Sequence, residues 1–228
     1  MNANIILKNV NNFYNRLNAN ENHRFRSWEH CYSAFYDVIK NKNKPDYDYL
    51  ALHLAFYLAS WGMYRGSSFL LQYDYKVHIE PIKNYILDSK YKDLCGIEWS
   101  EFDGKVLDDK LSLLEDLSND LREYYGKLRN DVSVEDINSK VSDTLITKIL
   151  LGTLGCVPAY DRFFKKAVRK YNIAAGIYST NSIKDLVELY KKYECDLEKT
   201  RKKIIIKNLN IEYPQMKLLD MALWELGQ

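Results

Sequence analysis

Residues 144–171 read TLITKILLGTLGCVPAYDRFFKKAVRKY: an apolar run, a break with two glycines and a proline, and a basic run. The apolar run has the character of a buried helix, and apolar residues recur at helical spacing in the basic run. Pro158 lacks a backbone N–H and therefore suits the first turn of a helix, which we expect to run to about Tyr171. This places Asp161 in that first turn, where two helices meet.

Helical periodicity continues on both sides of this stretch. Helices are predicted over residues 4–17, 27–39, 47–61, 81–89, 110–128, 183–200 and 214–226. A short helix is expected after Ser67 or Ser68. Ser133 and Asp136 resemble a capping box, which predicts the start of a further helix that continues toward Leu151. Nine glycines and four prolines in 228 residues are too few for the many turns of a sandwich or barrel. We therefore predict an all-α, compact bundle of about ten helices.

Residues 47–61 are apolar on nearly every face, so we expect this helix at the centre of the bundle, with His53 as a hydrogen-bonded core residue. We expect one domain over residues 1–228, since neither a repeat nor a Gly/Ser linker is visible. The alternative is two helical lobes, residues 1–100 and 108–228, divided by an irregular acidic segment.

The chain shows no secretory signal at its N-terminus, and its longest apolar window, about 13 residues, is short of the roughly 20 that span a bilayer. Four widely separated cysteines form no C-x-x-C pair, which argues against a zinc ribbon or a disulfide framework. We expect a cytoplasmic, bacterial protein with no membrane partner, no metal and no cofactor.

Charge is distributed unevenly. The net charge is +2, but residues 93–143 carry 14 acids and 6 bases, whereas residues 156–208 carry 13 bases and 6 acids. The two regions could face each other, within the chain, in a homodimer or with another protein. Alternatively, the basic region meets a polyanion, because the local field rather than the net charge steers a ligand.

Asp161 is the candidate catalytic residue, since the positive end of a helix stabilises a carboxylate. Such a group can orient a water molecule or stabilise a cationic centre on a substrate. Basic residues that could hold phosphates follow it: Arg162, Lys165, Lys166, Arg169 and Lys170. The alternative is a structural role, with Asp161 paired to Lys165 and the basic face solvated or paired with acids.

A second candidate site is WGMYRGSS at residues 61–68. Arg65 could grip a phosphate or carboxylate together with Ser67 and Ser68, because small residues that begin a helix present backbone N–H groups. Trp61 or Tyr64 could stack on a base. The alternative is an arginine buried against an acid or carbonyl groups, with the glycine and serines as plain helix caps.

The Thr147–Leu150 stretch TKIL, followed by Pro158, Asp161, Phe163 and Phe164, resembles the helix-hairpin-helix DNA glycosylase superfamily over about 30 residues of the C-terminal half. In that family an aspartate at the start of the corresponding helix assists cleavage of the N-glycosidic bond. The resemblance implies this role for Asp161, a glycosylase-like fold, and DNA or a nucleotide as partner.

The sequence also departs from that family. The glycine-rich hairpin of the family precedes its aspartate by a long interval, whereas Gly152 and Gly155 come immediately before Pro158, so the hairpin is absent. No motif positions an amine nucleophile, and the cysteines do not form the quartet of an iron-sulfur cluster. The fold can therefore be shared without the activity.

Three functions remain open from the sequence. The first is nucleic-acid or nucleotide binding through the basic helix, with N-glycosidic hydrolysis as the reaction if the protein is an enzyme. The second is a non-catalytic helical protein that interacts with other proteins or acts as a scaffold. The third is a small-molecule site for an anion around residues 61–68.

Overall fold

The computed structural model describes residues 1–132, 141–207 and 209–228. Its helices are α1 (Ala3–Asn18), α2 (Arg26–Lys40), α3 (Tyr47–Ser60), α4 (Ile79–Pro81), α5 (Gly104–Val132), α6 (Asp143–Thr153), α7 (Arg162–Lys170), α8 (Thr180–Lys192), α9 (Glu194–Arg201) and α10 (Gln215–Gly227). In the same residues, strands are limited to one antiparallel pair, β1 (Ile205–Ile206) and β2 (Ile211–Glu212). The predicted all-α bundle is therefore confirmed.

Short turns replace regular helices between α3 and α5. They are the 3₁₀ turns Phe69–Gln72, Tyr75–His78, Ser89–Leu94 and Trp99–Glu101, and a π-helical turn, Ile82–Ile86, that continues α4. The predicted helix after Ser67 or Ser68 is wrong. The Ser68 hydroxyl donates to the Met63 carbonyl at 2.6 Å instead of capping a helix, and the following turn has only four residues.

Two groups of helices meet in one hydrophobic cluster that includes buried residues from both ends of the chain. α10 packs against α1 and α7, while α2 packs against α3 and α6. Two buried indoles tie the α6 region to the rest of the bundle, since Trp28 Nε1 donates to Leu151 O at 2.9 Å and Trp99 Nε1 donates to Cys156 O at 2.7 Å. These contacts fix the end of α6 and the chain that follows it.

The prediction that α3 is buried on all sides is wrong. Leu50 and Leu54 face the core, but Tyr49, Leu52 and Phe56 are 52%, 50% and 57% exposed. His53, on the same outer side, is only half-buried and contacts the Tyr49 ring edge-on at 4.3 Å. When nearly every position of a helix is apolar, the sequence does not show which face is buried, because no polar face marks the solvent side.

The acidic and basic regions do meet, but not through α7. Lys184 pairs with Asp108 at 2.6 Å, Lys191 pairs with Asp103, and Arg201 pairs with Glu98 at 2.9 Å. These bases lie on α8 and α9. The intramolecular interpretation of the charge pattern is thus correct for α8 and α9.

Several helix ends differ from the predictions. The predicted helix 183–200 is two helices, because α8 ends before Tyr193 and α9 begins after it, and Ser179 rather than Asn181 or Ser182 caps α8. The hairpin of β1 and β2 was not predicted. The last helix does follow Pro214. The predicted capping box at residues 133–136 lies outside the described residues.

Among the helices that the structure describes, none combines the length and the hydrophobicity that crossing a bilayer requires.

Candidate functional site

A cleft of about 530 Å³ opens where the C-terminal end of α3, α6 and the N-terminal end of α7 meet. The cleft is lined by Arg24, Ala59, Ser60, Trp61, Gly62, Met63, Arg65, Thr144, Lys148, Asp161, Arg162, Phe163 and Trp224. It brings together Arg65 and Asp161, which belong to two motifs far apart in the sequence.

The loop that carries Asp161 is held by three hydrogen bonds to two helices. Tyr160 N–H donates to Thr147 Oγ1 at 2.9 Å, and Thr144 Oγ1 donates to Tyr160 O at 2.8 Å. One residue earlier, Ala159 N–H donates to the buried Asp220 Oδ1 at 3.0 Å. Because buried backbone groups are costly to leave unpaired, these bonds fix the loop against α6 and α10.

Asp161 is the N-cap of α7. Its Oδ1 accepts the backbone N–H groups of Phe163 and Phe164, both at 3.0 Å, so the helix begins at Arg162. The prediction that Pro158 occupies the first turn is therefore wrong. The carboxylate satisfies two N–H groups that a helix start leaves unpaired, and this sets the boundary three residues after the proline.

The second carboxylate oxygen, Oδ2 of Asp161, makes no hydrogen bond within the described part of the chain, and the residue is half-buried in the cleft wall. Burial raises the pKa of Asp161 above its ordinary value, while the two backbone N–H groups and Lys148 partly offset this effect. The alternative pairing with Lys165 does not occur, since only a backbone bond from Lys165 N to Asp161 O, at 2.9 Å, joins them.

Lys148 is a cleft residue that the sequence analysis missed. It is 4% exposed, and its Nζ donates to Trp61 O at 2.6 Å. Burial lowers the pKa of Lys148, and the negative charges of Asp161 and Asp220 oppose this shift. A signal was available, because Lys148 is the one basic residue in the apolar sequence of α6.

Arg65 is exposed at the cleft, so its predicted alternative role as a buried arginine is wrong. Its guanidinium folds over Gly62, where an added Cβ would lie 2.9 Å from Arg65 Nε and where φ is +78°. On the same rim, Arg24 Nη1 donates to Ser60 O at 3.0 Å, and its guanidinium lies 5.1 Å from the Trp61 ring.

The aromatic side chains divide into cleft and core residues. Trp61 lines the cleft, but one face of its indole already stacks on Phe25 at 5.2 Å, and the Trp224 indole lies nearly perpendicular to it with ring centroids 5.6 Å apart. Tyr64 does not line the cleft, because its hydroxyl bonds to His78 Nε2 at 2.7 Å. The predicted stacking role is thus open for Trp61 and is wrong for Tyr64.

The two serines of residues 61–68 also lie outside the cleft lining. The Ser68 hydroxyl donates its hydrogen bond to the Met63 carbonyl, and Ser67 is exposed next to Gly66. The prediction that Ser67 and Ser68 bind an anion together with Arg65 is therefore wrong for both serines.

The basic side chains of α7 lie mostly outside the cleft. Arg162 lines it, while Lys165, Lys166, Arg169 and Lys170 extend along the helix away from it. Arg169 donates to the carbonyls of Ala175 and Gly176 at 3.2 and 3.4 Å. In the residues that the structure describes, none of these five bases forms an ion pair with an acidic side chain, although Lys166 Nζ donates to Gln228 O at 3.4 Å.

Packing explains the two glycines before Pro158. A Cβ at Gly152 would lie 2.5 Å from the Tyr57 ring, and a Cβ at Gly155 would lie 2.6 Å from Pro214. Both glycines are buried. Their absent side chains permit close contact between α6 and its neighbours.

The described residues contain no group of three or more His, Cys, Asp or Glu side chains that could hold a metal ion.

The chain matches no known protein-family model, and no curated protein or solved structure is significantly similar to it. The cleft geometry is thus the basis for assigning a function.

Proposed function

We propose that the cleft binds an anionic ligand that carries a planar ring, namely a nucleotide or one nucleotide unit of a nucleic acid. The observation that supports this most directly is the charge of the cleft wall. Of the residues that line it, four are cationic, Arg24, Arg65, Lys148 and Arg162, and only Asp161 is acidic. Guanidinium groups suit phosphate because their planar N–H donors can bind two oxygens at once.

The size and walls of the cleft support the same ligand class. Small-molecule sites commonly measure about 300–1,000 Å³ and combine apolar walls with a few polar groups. Here a cleft of about 530 Å³ has Trp61, Phe163 and Trp224 in its walls. An aromatic ring adds stacking energy for a base, and that energy depends little on base identity.

The basic residues of α7 would extend the site beyond the cleft. Arg162 stands at the cleft, and Lys166 and Lys170 follow at intervals of one helical turn. Four residues of an α-helix rise about 6 Å. Because no acidic side chain pairs with these bases in the described chain, and Lys166 makes only a long 3.4 Å bond to Gln228 O, they can turn toward successive phosphates of a nucleic acid.

Hydrolysis of an N-glycosidic bond is a second candidate, which the Asp161 geometry favours. Its Oδ1 is held by two backbone N–H groups, so the free Oδ2 is fixed in place at the cleft. A carboxylate there could orient a water molecule toward the sugar carbon and stabilise the positive charge that develops as the base leaves. Asp161→Asn should abolish product formation while leaving the fold intact.

The test is a binding titration with a fluorescein-labelled single-stranded oligodeoxynucleotide, followed by fluorescence polarisation. We expect binding by the wild type that weakens steeply as salt rises, because phosphate neutralisation releases counterions. Unlabelled AMP and inorganic phosphate serve as competitors that separate a nucleotide site from a simple anion site. Absence of binding at low salt would contradict the proposal.

A matched pair of variants tests the location. Arg24→Gln/Arg65→Gln removes two charges from the cleft and should weaken binding by about tenfold or more, since each phosphate contact to a charged group is worth about 1 kcal/mol or more. Lys83→Gln/Lys105→Gln removes the same charge from exposed positions outside the cleft and should change affinity only slightly. Equal loss in both variants would indicate diffuse attraction to a basic surface.

A further inference from the structure

A buried ion pair lies behind the cleft wall, on α10. Lys217 and Asp220 are 2% and 5% exposed, and Lys217 Nζ lies 2.8 Å from Asp220 Oδ2. The nucleotide-binding proposal assigns no role to either residue, since neither lines the cleft.

The pair contacts both walls of the cleft from behind. Asp220 Oδ1 accepts the Ala159 N–H at 3.0 Å, two residues before Asp161. The Lys217 ammonium lies 5.7 Å from the Trp61 ring centroid, and the rings of Phe13 and Trp28 complete a cage around it at 5.0 and 4.9 Å.

Stability alone does not explain a buried pair of this kind. Removing two charges from water is expensive, and replacing a buried ion pair with apolar residues of similar volume is often neutral or stabilising. The geometry gives a more specific reason. Lys217 pairs with Oδ2 of Asp220 and compensates its buried charge, while Oδ1 accepts the Ala159 N–H and so fixes the loop that carries Asp161.

We propose that Asp220 is a positioning residue for the cleft carboxylate Asp161, acting through the Ala159 N–H, and that Lys217 compensates the buried charge of Asp220. This inference rests on the proposed function for its effect on ligand binding. The positioning itself is a property of the ligand-free protein and can be measured without a ligand.

Two double variants isolate the contact. Lys217→Met/Asp220→Asn and Lys217→Met/Asp220→Leu both remove the two charges and the ammonium beside Trp61, but only Asn retains an acceptor for the Ala159 N–H. Lys217→Met/Asp220→Ala also lacks an acceptor and has a smaller side chain, so it replaces the Leu variant if that chain does not fold.

The first readout is amide hydrogen exchange in the loop at residues 157–162, measured without ligand by mass spectrometry. We expect exchange close to wild type in the Asn variant, and about tenfold faster exchange or more in the variant that lacks an acceptor. Equal protection in the two double variants would overturn the inference, because the Ala159 contact would then not hold the loop.

The second readout is affinity for the labelled oligodeoxynucleotide, measured well below the melting temperature of each variant. We expect the acceptor-lacking variant to bind about tenfold more weakly than the Asn variant, although both have lost the same charges, because the loosened loop leads directly into the cleft cation Arg162. Equal affinity would overturn the role in ligand binding. If the wild type does not bind the oligonucleotide, the proposed function fails, whereas the exchange comparison still decides whether Asp220 positions the loop.

Discussion

Substitution of Asp161 separates its structural role from its chemical role. Its Oδ1 caps α7 through two N–H groups at 3.0 Å, and loss of such a cap costs about 1–2 kcal/mol. We therefore expect Asp161→Ala to lower the free energy of unfolding by that amount, or the melting temperature by about 2–8 °C for a chain of this size. Asp161→Asn retains a capping oxygen and should be at least as stable as the wild type at neutral pH.

The pH dependence of this series follows from the raised pKa of Asp161. Between the ordinary value of 3.8 and the higher folded-state value, the native protein binds more protons than the unfolded chain. Its stability therefore falls as pH rises through that window. Asp161→Asn lacks this titration, so its stability relative to the wild type should increase through the window and remain constant above it.

The assay is urea unfolding of the wild type and both variants at a series of pH values, followed by tryptophan fluorescence. Ligand affinity is measured in parallel, and Asp161→Asn should bind an anionic ligand as well as the wild type or better, because it removes the one negative charge in the cleft wall. Two results would refute the reasoning: equal stability of the Ala and Asn variants, or an Asn variant that loses its relative stability as pH rises.

Three further substitutions test the surroundings of the site. Gly155→Ala should destabilise the protein by about 2–4 kcal/mol in thermal unfolding, since its Cβ would lie 2.6 Å from Pro214 and its φ is +65°; a neutral change would contradict the packing argument. Gly62→Ala should weaken oligonucleotide binding by displacing the Arg65 guanidinium, 2.9 Å from the added Cβ, and unchanged affinity would argue against a role for that arginine. Burial lowers the pKa of His78 to about 3, so the free energy of unfolding should fall as pH drops below about 6.5. Between about pH 7 and pH 3 the wild type should lose about 4 kcal/mol relative to His78→Gln. Parallel pH profiles of the two proteins in urea unfolding would contradict this.

The sequence predicted helices well where apolar and polar residues alternate at helical spacing. α1, α2 and α10 lie within one or two residues of their predicted bounds, because α1 and α2 each have one apolar face and polar flanks, and Pro214 marks the start of α10. α3 was located correctly but oriented wrongly, since a helix that is apolar on all faces gives no contrast between core and surface. The break between α8 and α9 carries no proline or glycine signal and depends on tertiary packing.

The candidate site was predicted in part. Asp161, Arg65, Trp61 and Arg162 do line one cleft, although nothing in the local sequence showed that residues 61–65 and 161–162 would meet. Their convergence depends on how α3, α6 and α7 pack, which is set by contacts between distant residues.

Other site residues were not predictable from local pattern. Asp220 resembles an ordinary charged residue in the sequence, and its importance arises from burial beside the cleft. Lys148 is the exception, because it is the one basic residue in the apolar sequence of α6. Ser67, Ser68 and Tyr64 were placed in the site because they are close to Arg65 in the chain, but their side chains point to other partners or to solvent.

The central claim is that the cleft between α3, α6 and α7 is the ligand site, and peptide-resolved amide hydrogen exchange with and without saturating oligodeoxynucleotide tests it most directly. We predict slower exchange in residues 61–68 and 158–166 when the ligand is bound, and no change in residues 83–105. Protection confined to other regions, or none at all under conditions of demonstrated binding, would contradict the assignment of the site.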